Sequence, residues 1–249
     1  MEFFQNMEQI LLPTKISVES TDRPNVATLV IEPCFFGYGT TVGNALRRVL
    51  LSSLPGAAVT AVKIKKATHE FQAVPNVKED VLQMILNLKG LRLKMHSDAP
   101  IKLHLRATGE KIVTAADFEP NADIEIVNPE LVIATLTDPK ADFELEAVIE
   151  RGRGYSATES RKEKPEELGM IAIDALFSPI RNVGYRVENT RVGDVTNYDK
   201  LVLTIETDGT IDPKDAVEQS AKILLDYFNL LIPSAELPET EVAEEAPLE

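Results

Sequence analysis

Two predicted helices in this chain carry more large apolar residues than one buried face can hold. The first covers residues 40–54, with Thr40 or Thr41 as its cap and Pro55-Gly56 as its stop. The other starts at Asp212-Pro213 and runs to residue 232. A helix that packs on one sheet needs an apolar stripe only about 100° wide. The surplus predicts a second partner surface, and hence a homodimer, unless both helices are central in a monomer core.

Adjacent arginines interrupt the first apolar helix at Arg47 and Arg48. Neighbouring helical residues point about 100° apart, so the two side chains cannot serve one face. Both could run along the helix edge into solvent. Alternatively, one pairs inside the chain while the other is presented to a protein partner, because arginine is enriched in interfaces.

Most of the remaining chain alternates apolar and polar residues with period two, which is typical of strands. One further helix is predicted, with an Asn76 cap, a capping box completed by Glu79, and an end before Gly90. Strands without regular strand-helix alternation predict an α+β fold. The alternating segments are 27–31, 59–64, 143–149, 201–205 and 170–177.

Composition narrows the function classes. The net charge of −14 repels nucleic acid phosphates, so contact with DNA or RNA should be indirect or local. A single cysteine, Cys34, excludes an intramolecular disulfide and a multi-cysteine zinc site. His69, His96 and His104 never have metal-ligand spacing. The cysteine and histidine patterns therefore predict that the chain has no metal site. No apolar run is long enough for a membrane span, and the N-terminus lacks a secretory signal, so we expect a cytoplasmic protein.

A glycine-rich segment at 37–43 is one candidate cofactor site, because it follows a strand and opens a helix. Its spacing is GxGxxxG rather than GxGxxG, and no acidic residue ends the next strand. The glycines are better explained by a turn and a close helix approach. No nucleophile-base pair, Walker lysine motif or close-set aspartates are visible, so we expect no catalytic residues and no cofactor.

A basic cluster at 151–155 is the second alternative, since Arg-Gly repeats with an aromatic residue can contact RNA. Arg161, Lys162 and Lys164 follow nearby, but five glutamates from Glu150 to Glu167 dilute the positive charge. A protein-facing or solvated loop is therefore the favoured interpretation.

Eight short strings occur in a characteristic order between residues 43 and 213. The longest is GNALRRVLLSSLPG at 43–56, which contains both arginines. The others are HEF at 69–71, VKEDV at 77–81, LNLKG at 86–90, VTAAD at 113–117, RGRGY at 151–155, DALFSP at 174–179 and DGTIDP at 208–213. These strings resemble the bacterial RNA polymerase alpha subunit family, and the resemblance extends over nearly all of residues 10–233. One such string could arise by chance, whereas eight in the family's order are very specific.

The resemblance implies a discontinuous dimerisation domain at 1–56 and 172–233, built from mixed strands and the two apolar helices. It implies an inserted, mostly β domain at 57–171. The dimer would be the scaffold on which the β and then the β′ subunit of DNA-directed RNA polymerase assemble, a non-catalytic part of a nucleotidyltransferase. The apolar helices would supply the dimer interface, through Val42, Leu46, Leu50, Leu224, Phe228 and Leu231.

The matching strings also imply contacts to the large subunits. Arg48, Leu51 and Lys89 match positions through which the family contacts β, which favours an interface role for Arg48. The segment with Asp174, Ser178 and Pro179, and Arg191 beyond it, resembles the region that faces β′.

Two segments depart from the family. Residues 156–167 match no defined pattern, so the resemblance implies no activator contacts there. The family continues through a linker into a small domain that binds promoter DNA, whereas residues 234–249 read as an acidic, disordered tail or the start of that linker. We expect the chain as given to touch DNA only through the assembled enzyme.

Overall fold

A computed structural model describes residues 10–161, 167, 169–193 and 195–232. The helices within these ranges are α1 (Tyr38–Ser52), α2 (Val81–Lys89) and α3 (Pro213–Asn229). The strands are β1 (Lys15–Ser20), β2 (Val26–Cys34), β3 (Pro55–Ile64), β4 (Leu93–Met95), β5 (Ile101–Thr108), β6 (Lys111–Thr114), β7 (Ile124–Ile126), β8 (Val132–Leu136), β9 (Asp142–Arg153), β10 (Tyr155–Ser156), β11 (Met170–Ala172), β12 (Ala175–Leu176), β13 (Ile180–Val192) and β14 (Val195–Thr207).

One half of the fold is an antiparallel four-stranded sheet in the order β1-β2-β14-β13, with α1 and α3 packed on one face. The β13–β14 register sets Val183 opposite Ile205 and Tyr185 opposite Leu203. Period-two alternation therefore turns the apolar residues of both strands toward the helices. Leu46 and Leu50 of α1 belong to the buried cluster between the sheet and the helices.

The other half is a six-stranded sheet in the order β5-β9-β3-β4-β7, in which β11 also pairs with β3. α2 lies against β3 and β8, and its Leu88 belongs to the same buried cluster as Leu105 and Phe143 of the sheet. β6 and β8 pair beside it as a separate two-stranded sheet. Mixed strands and helices in two packed units confirm the α+β prediction.

Two clusters of buried side chains form the main cores. One draws on residues 29–54 and 180–216, and the other on residues 59–173. The predicted domain boundaries at 56/57 and 171/172 stay a prediction, which this division of the cores supports. In the part of the chain that the structure describes, no helix is long and apolar enough to cross a membrane.

The ends of the helices correct the sequence reading in two places. α1 begins at Tyr38, before either predicted cap, and Gly37 stands at its N-cap with a φ of 80°. α2 begins at Val81 with Asp80 as its cap, whose Oδ1 accepts the Gln83 N–H at 2.7 Å. The predicted capping box was wrong, because the Glu79 carboxylate accepts hydrogen bonds from the N–H (2.6 Å) and hydroxyl (2.8 Å) of Thr135.

Two further predictions are partly correct. The start of α3 is confirmed, since Asp212 accepts the Lys214 N–H and Pro213 opens the helix, which ends at Asn229 instead of 232. The predicted strand at 170–177 is two short strands, β11 and β12, separated by residues 173–174. The predicted tail at 234–249 lies outside the described residues.

Candidate protein-interaction surfaces

Asp174 joins residues that the sequence assigned to two different contact surfaces. Its Oδ1 accepts the N–H of Thr158 at 2.9 Å and the Thr158 hydroxyl at 3.1 Å. Its Oδ2 lies 3.6 Å from Nζ of Lys89, at the end of α2. The Thr158 N–H above all, with help from the Lys89 charge, holds the pKa of Asp174 below its ordinary value, and desolvation opposes them. The carboxylate is therefore a fixed negative charge between α2 and the 155–161 segment.

Beside Asp174, the short β10–β12 pair presents two large side chains to solvent. Tyr155 pairs with Leu176, and each is 65% exposed. Desolvation and the nearby Asp174 raise the pKa of Tyr155. Tyr155 is the aromatic residue of the basic cluster considered for RNA contact, and Leu176 lies within the 174–179 segment that resembles the β′-facing region, but neither was predicted as an individual protein contact. Period-two alternation puts Leu176 on the face opposite Phe177, which is buried.

Glycines set the depth of Phe177 beneath this pair. A Cβ at Gly152 would lie 2.6 Å from the Phe177 ring, and a Cβ at Gly56 would lie 1.8 Å from the Phe177 carbonyl oxygen. Neither distance is tolerable, so only glycine allows the close approach. The next residues are also fixed. Ser178 accepts the Ile180 N–H at 3.4 Å, and the Pro179 carbonyl accepts the Asp208 N–H at 2.9 Å.

Arg161 ties the 155–161 segment to the sheet. Its guanidinium donates to the carbonyl oxygens of Thr60 (3.0 Å), Ser156 (3.2 Å) and Ile173 (2.7 Å). Arg151 forms an ion pair with Asp98 at 2.6 Å. Two of the basic residues proposed for RNA contact are thus held by protein atoms, while Lys162 and Lys164 lie outside the described residues. These contacts favour the protein-facing interpretation of the cluster.

The arginine pair on α1 divides as one of the two sequence hypotheses proposed. Arg47 Nε donates to the Val183 carbonyl oxygen at 3.1 Å, which fastens α1 to β13. Arg48 is exposed, and its side chain has no hydrogen-bond or ion-pair partner among the described residues. Leu51, one turn on, is half-buried against the core.

The carboxyl end of α1 reaches the β10–β12 region. The Ser52 carbonyl oxygen lies 3.3 Å from where a Cβ of Gly154 would stand. Gly154 directly precedes Tyr155, so the end of α1 lies close to the start of the 155–161 segment. This end of α1 carries Arg48 and Leu51, and Asp174 connects the 155–161 segment to Lys89. Arg191 does not join them. It lies 11 residues beyond Ile180 on β13, roughly 35 Å away along an extended strand.

The residues predicted for a dimer interface divide into exposed and buried groups. Phe228 and Leu231 are 57% and 76% exposed, at and just beyond the end of α3. Val42 and Leu224 are half-buried. Leu46 (5% exposed) and Leu50 (0%) already fill the core of their own chain, so they can support such an interface only from beneath.

An open groove lies next to the exposed end of α3. It has a volume of about 730 Å³ and is lined by the outer face of α1 from Thr40 to Val49, by Tyr185 and by Leu224. Exposed apolar residues extend the α3 surface beside it, namely Leu225, Tyr227, Leu230 and Ile232.

The glycine-rich segment forms a turn and a close helix contact, as its spacing predicted. Asp199, buried on β14, accepts the N–H groups of Gly37 (2.9 Å) and Gly39 (3.1 Å) with Oδ2. A Cβ at Gly43 would lie 2.8 Å from side-chain atoms of Leu201 and Tyr185. The N–H groups that a phosphate would use at this helix start are thus donated to an internal carboxylate.

Comparisons with known proteins agree with the resemblance. Residues 62–178 match the RNA polymerase Rpb3/RpoA insert domain. The chain is 50% identical over 213 residues to the DNA-directed RNA polymerase subunit alpha of Moorella thermoacetica, covering 86% of this chain and 68% of that protein. It is 50% identical over 226 residues to the subunit of the same name from Desulfitobacterium hafniense, covering 91% and 71%. For that of Oceanobacillus iheyensis the identity is 47%, covering 91% and 72%.

Proposed function

The chain belongs to the family of bacterial DNA-directed RNA polymerase alpha subunits, and from that premise we propose that it forms the homodimeric platform on which β and β′ assemble. Membership makes it part of a nucleotidyltransferase complex that transcribes DNA into RNA. We propose that its own contribution is non-catalytic and that it works in the cytoplasm, touching DNA only through the assembled enzyme.

The observation that carries the proposal is the exposed apolar end of α3 next to the open α1 groove. Phe228 and Leu231 are more than half exposed, and burying a side chain of this size contributes about 1.5–3 kcal/mol. A second copy of the chain offers a matching groove to each such end, so a two-fold arrangement would cover both. The proposed interface uses Val42, Leu224, Phe228 and Leu231 directly, above Leu46 and Leu50.

A dimer also presents two copies of each large-subunit surface. The proposed β surface contains Arg48, Leu51 and Lys89, of which Arg48 is exposed and has no partner among the described residues. The proposed β′ surface contains Asp174, Ser178 and Pro179, with Arg191 as a separate contact at the far end of β13. The fixed backbone around Ser178 and Pro179 supports this role, because a preorganised surface loses less entropy on binding.

Reconstitution tests the proposal. Purified β and β′ would be mixed with and without this chain, and template-directed RNA synthesis measured in the fraction that elutes as a large complex. We expect an active complex only when the chain is present, with two copies in it. An active β–β′ complex that forms equally well without the chain would overturn the scaffold role.

A further inference from the structure

A small cavity opens between the two halves of the fold, next to the proposed β and β′ surfaces. Its volume is about 270 Å³. Its lining residues include three cations, Lys89, Arg92 and Arg181, and one acidic residue, Asp208. Such a concentration of positive charge is unexpected in a chain whose net charge is −14.

The two arginines have unused capacity for an anion. Arg92 donates from its NH1 to the Asp208 carbonyl oxygen at 3.0 Å, a neutral acceptor. None of the described carboxylates lies within ion-pair distance of Arg92 or Arg181. Oδ1 of Asp208 accepts the N–H (2.9 Å) and the hydroxyl (2.6 Å) of Thr210, so this oxygen is occupied by its own turn.

Lys89 is the third cation, and its neutralisation is incomplete. Its Nζ lies 3.6 Å from Asp174, whose other oxygen is held by Thr158. This separation is longer than that of a charge-assisted hydrogen bond, about 2.7–2.9 Å. A second carboxylate could therefore approach Lys89 from the cavity side without displacing Asp174 from Thr158.

We propose that this cavity receives an acidic side chain, Asp or Glu, from the β subunit. The proposal rests on the proposed function, because Lys89 belongs to the proposed β surface. Guanidinium groups bind carboxylates through paired hydrogen bonds, which sets both position and orientation. The cavity is smaller than the about 300–1,000 Å³ of ordinary small-molecule sites, so it suits one inserted side chain better than a nucleotide.

Substitution of Arg181 is the sharpest test, because this side chain is exposed and makes no described hydrogen bond. Arg181→Gln and Arg181→Glu would be made in the full chain, and their affinity for purified β measured by titration. We expect Arg181→Gln to bind about tenfold more weakly and Arg181→Glu about a hundredfold more weakly. Arg23→Gln is the matched control, since it removes one exposed positive charge outside the cavity and should change the affinity less than about twofold.

The outcomes separate the possibilities. If the unmodified chain binds β and Arg181→Glu binds equally well, the cavity proposal is overturned while the scaffold role stands. If the unmodified chain does not bind β, both fail. Inorganic phosphate tests whether the cavity is instead a site for a small anion. A rise in Tm with phosphate that Arg181→Gln abolishes, together with unchanged β affinity, would mark a site for a small anion and overturn the proposal. Unchanged circular dichroism of each variant would show that folding is not the cause.

Discussion

Nζ of Lys89 lies 3.6 Å from Oδ2 of Asp174, so a residue of the proposed β surface touches a residue of the proposed β′ surface. Both side chains are more than a third exposed, and an ion pair in that setting contributes about 0–1 kcal/mol to stability. The contact therefore matters chiefly for geometry. It holds the end of α2 against the 155–161 segment and makes the two proposed surfaces neighbours.

Asp174→Ala should destabilise the chain at neutral pH by about 1 kcal/mol, because the N–H and hydroxyl of Thr158 lose their acceptor in a partly solvated place. The pKa of Asp174 is lowered in the folded state from an ordinary value of 3.8. Its contribution is therefore fully present above that value and is lost as the pH falls through the lower, folded pKa. Urea unfolding at several pH values measures this. A difference in the free energy of unfolding between variant and parent that stays constant through the acid range would contradict this prediction.

Asp199→Ala should cost about 1–3 kcal/mol, since two N–H groups at the start of α1 would lose their buried acceptor. Asp199→Asn should cost less, because its amide oxygen can replace Oδ2, the one oxygen that accepts both N–H groups. Chemical denaturation of both variants gives the comparison. Equal losses would mean that the carboxylate charge, and not the hydrogen-bond acceptor, holds Gly37 and Gly39.

Arg47→Ala and Arg48→Ala should differ in kind. The first removes a hydrogen bond to Val183 and should lower the free energy of unfolding by about 1 kcal/mol. The second removes an exposed side chain, so stability should be unchanged while the affinity for β falls. Arg48 also lines the α1 groove, and we expect the homodimer to persist because the partner copy covers this groove with apolar side chains. The measurements are urea titration and binding to purified β. Loss of the dimer in Arg48→Ala would show that this arginine belongs to the dimer interface and not to the β surface.

Phe228→Asp should abolish the homodimer without unfolding the chain. Phe228 is exposed within one chain, so the carboxylate is tolerated there, but an interface would bury it without a partner. Sedimentation velocity at micromolar concentration separates dimer from monomer. Gln219→Asp is the control, since it adds the same charge to an exposed position nearer the start of α3 and should leave the dimer intact. A Phe228→Asp variant that still sediments as a dimer would remove this residue from the interface.

Local patterns predicted most of the fold. Period-two alternation identified strands such as β9 and β14, and the Asp212-Pro213 pair identified the start of α3, because these signals act within a few residues. The start of α2 was missed because Asn76 has a φ of 64° and Glu79 is occupied by Thr135, 56 residues later in the chain. Such long-range competition leaves no mark on a short window of sequence.

The proposed contact surfaces were harder to predict from the sequence than the fold. The surplus of apolar residues on α1 and α3 indicated a partner, but Leu46 and Leu50 proved to be buried in their own chain, because α1 packs against β13 and β14. Tyr155 and Leu176 lie side by side on two paired strands of only two residues each, which are too short for an alternation pattern to identify. The role of Asp199 depends on a contact across 162 residues.

Light scattering on a sizing column, first with the chain alone and then with purified β, tests the scaffold claim most directly. We predict a mass of twice 27.5 kDa for the chain alone, and a complex of two copies with one β after mixing. A monomer whose elution does not change when β is added would contradict the account.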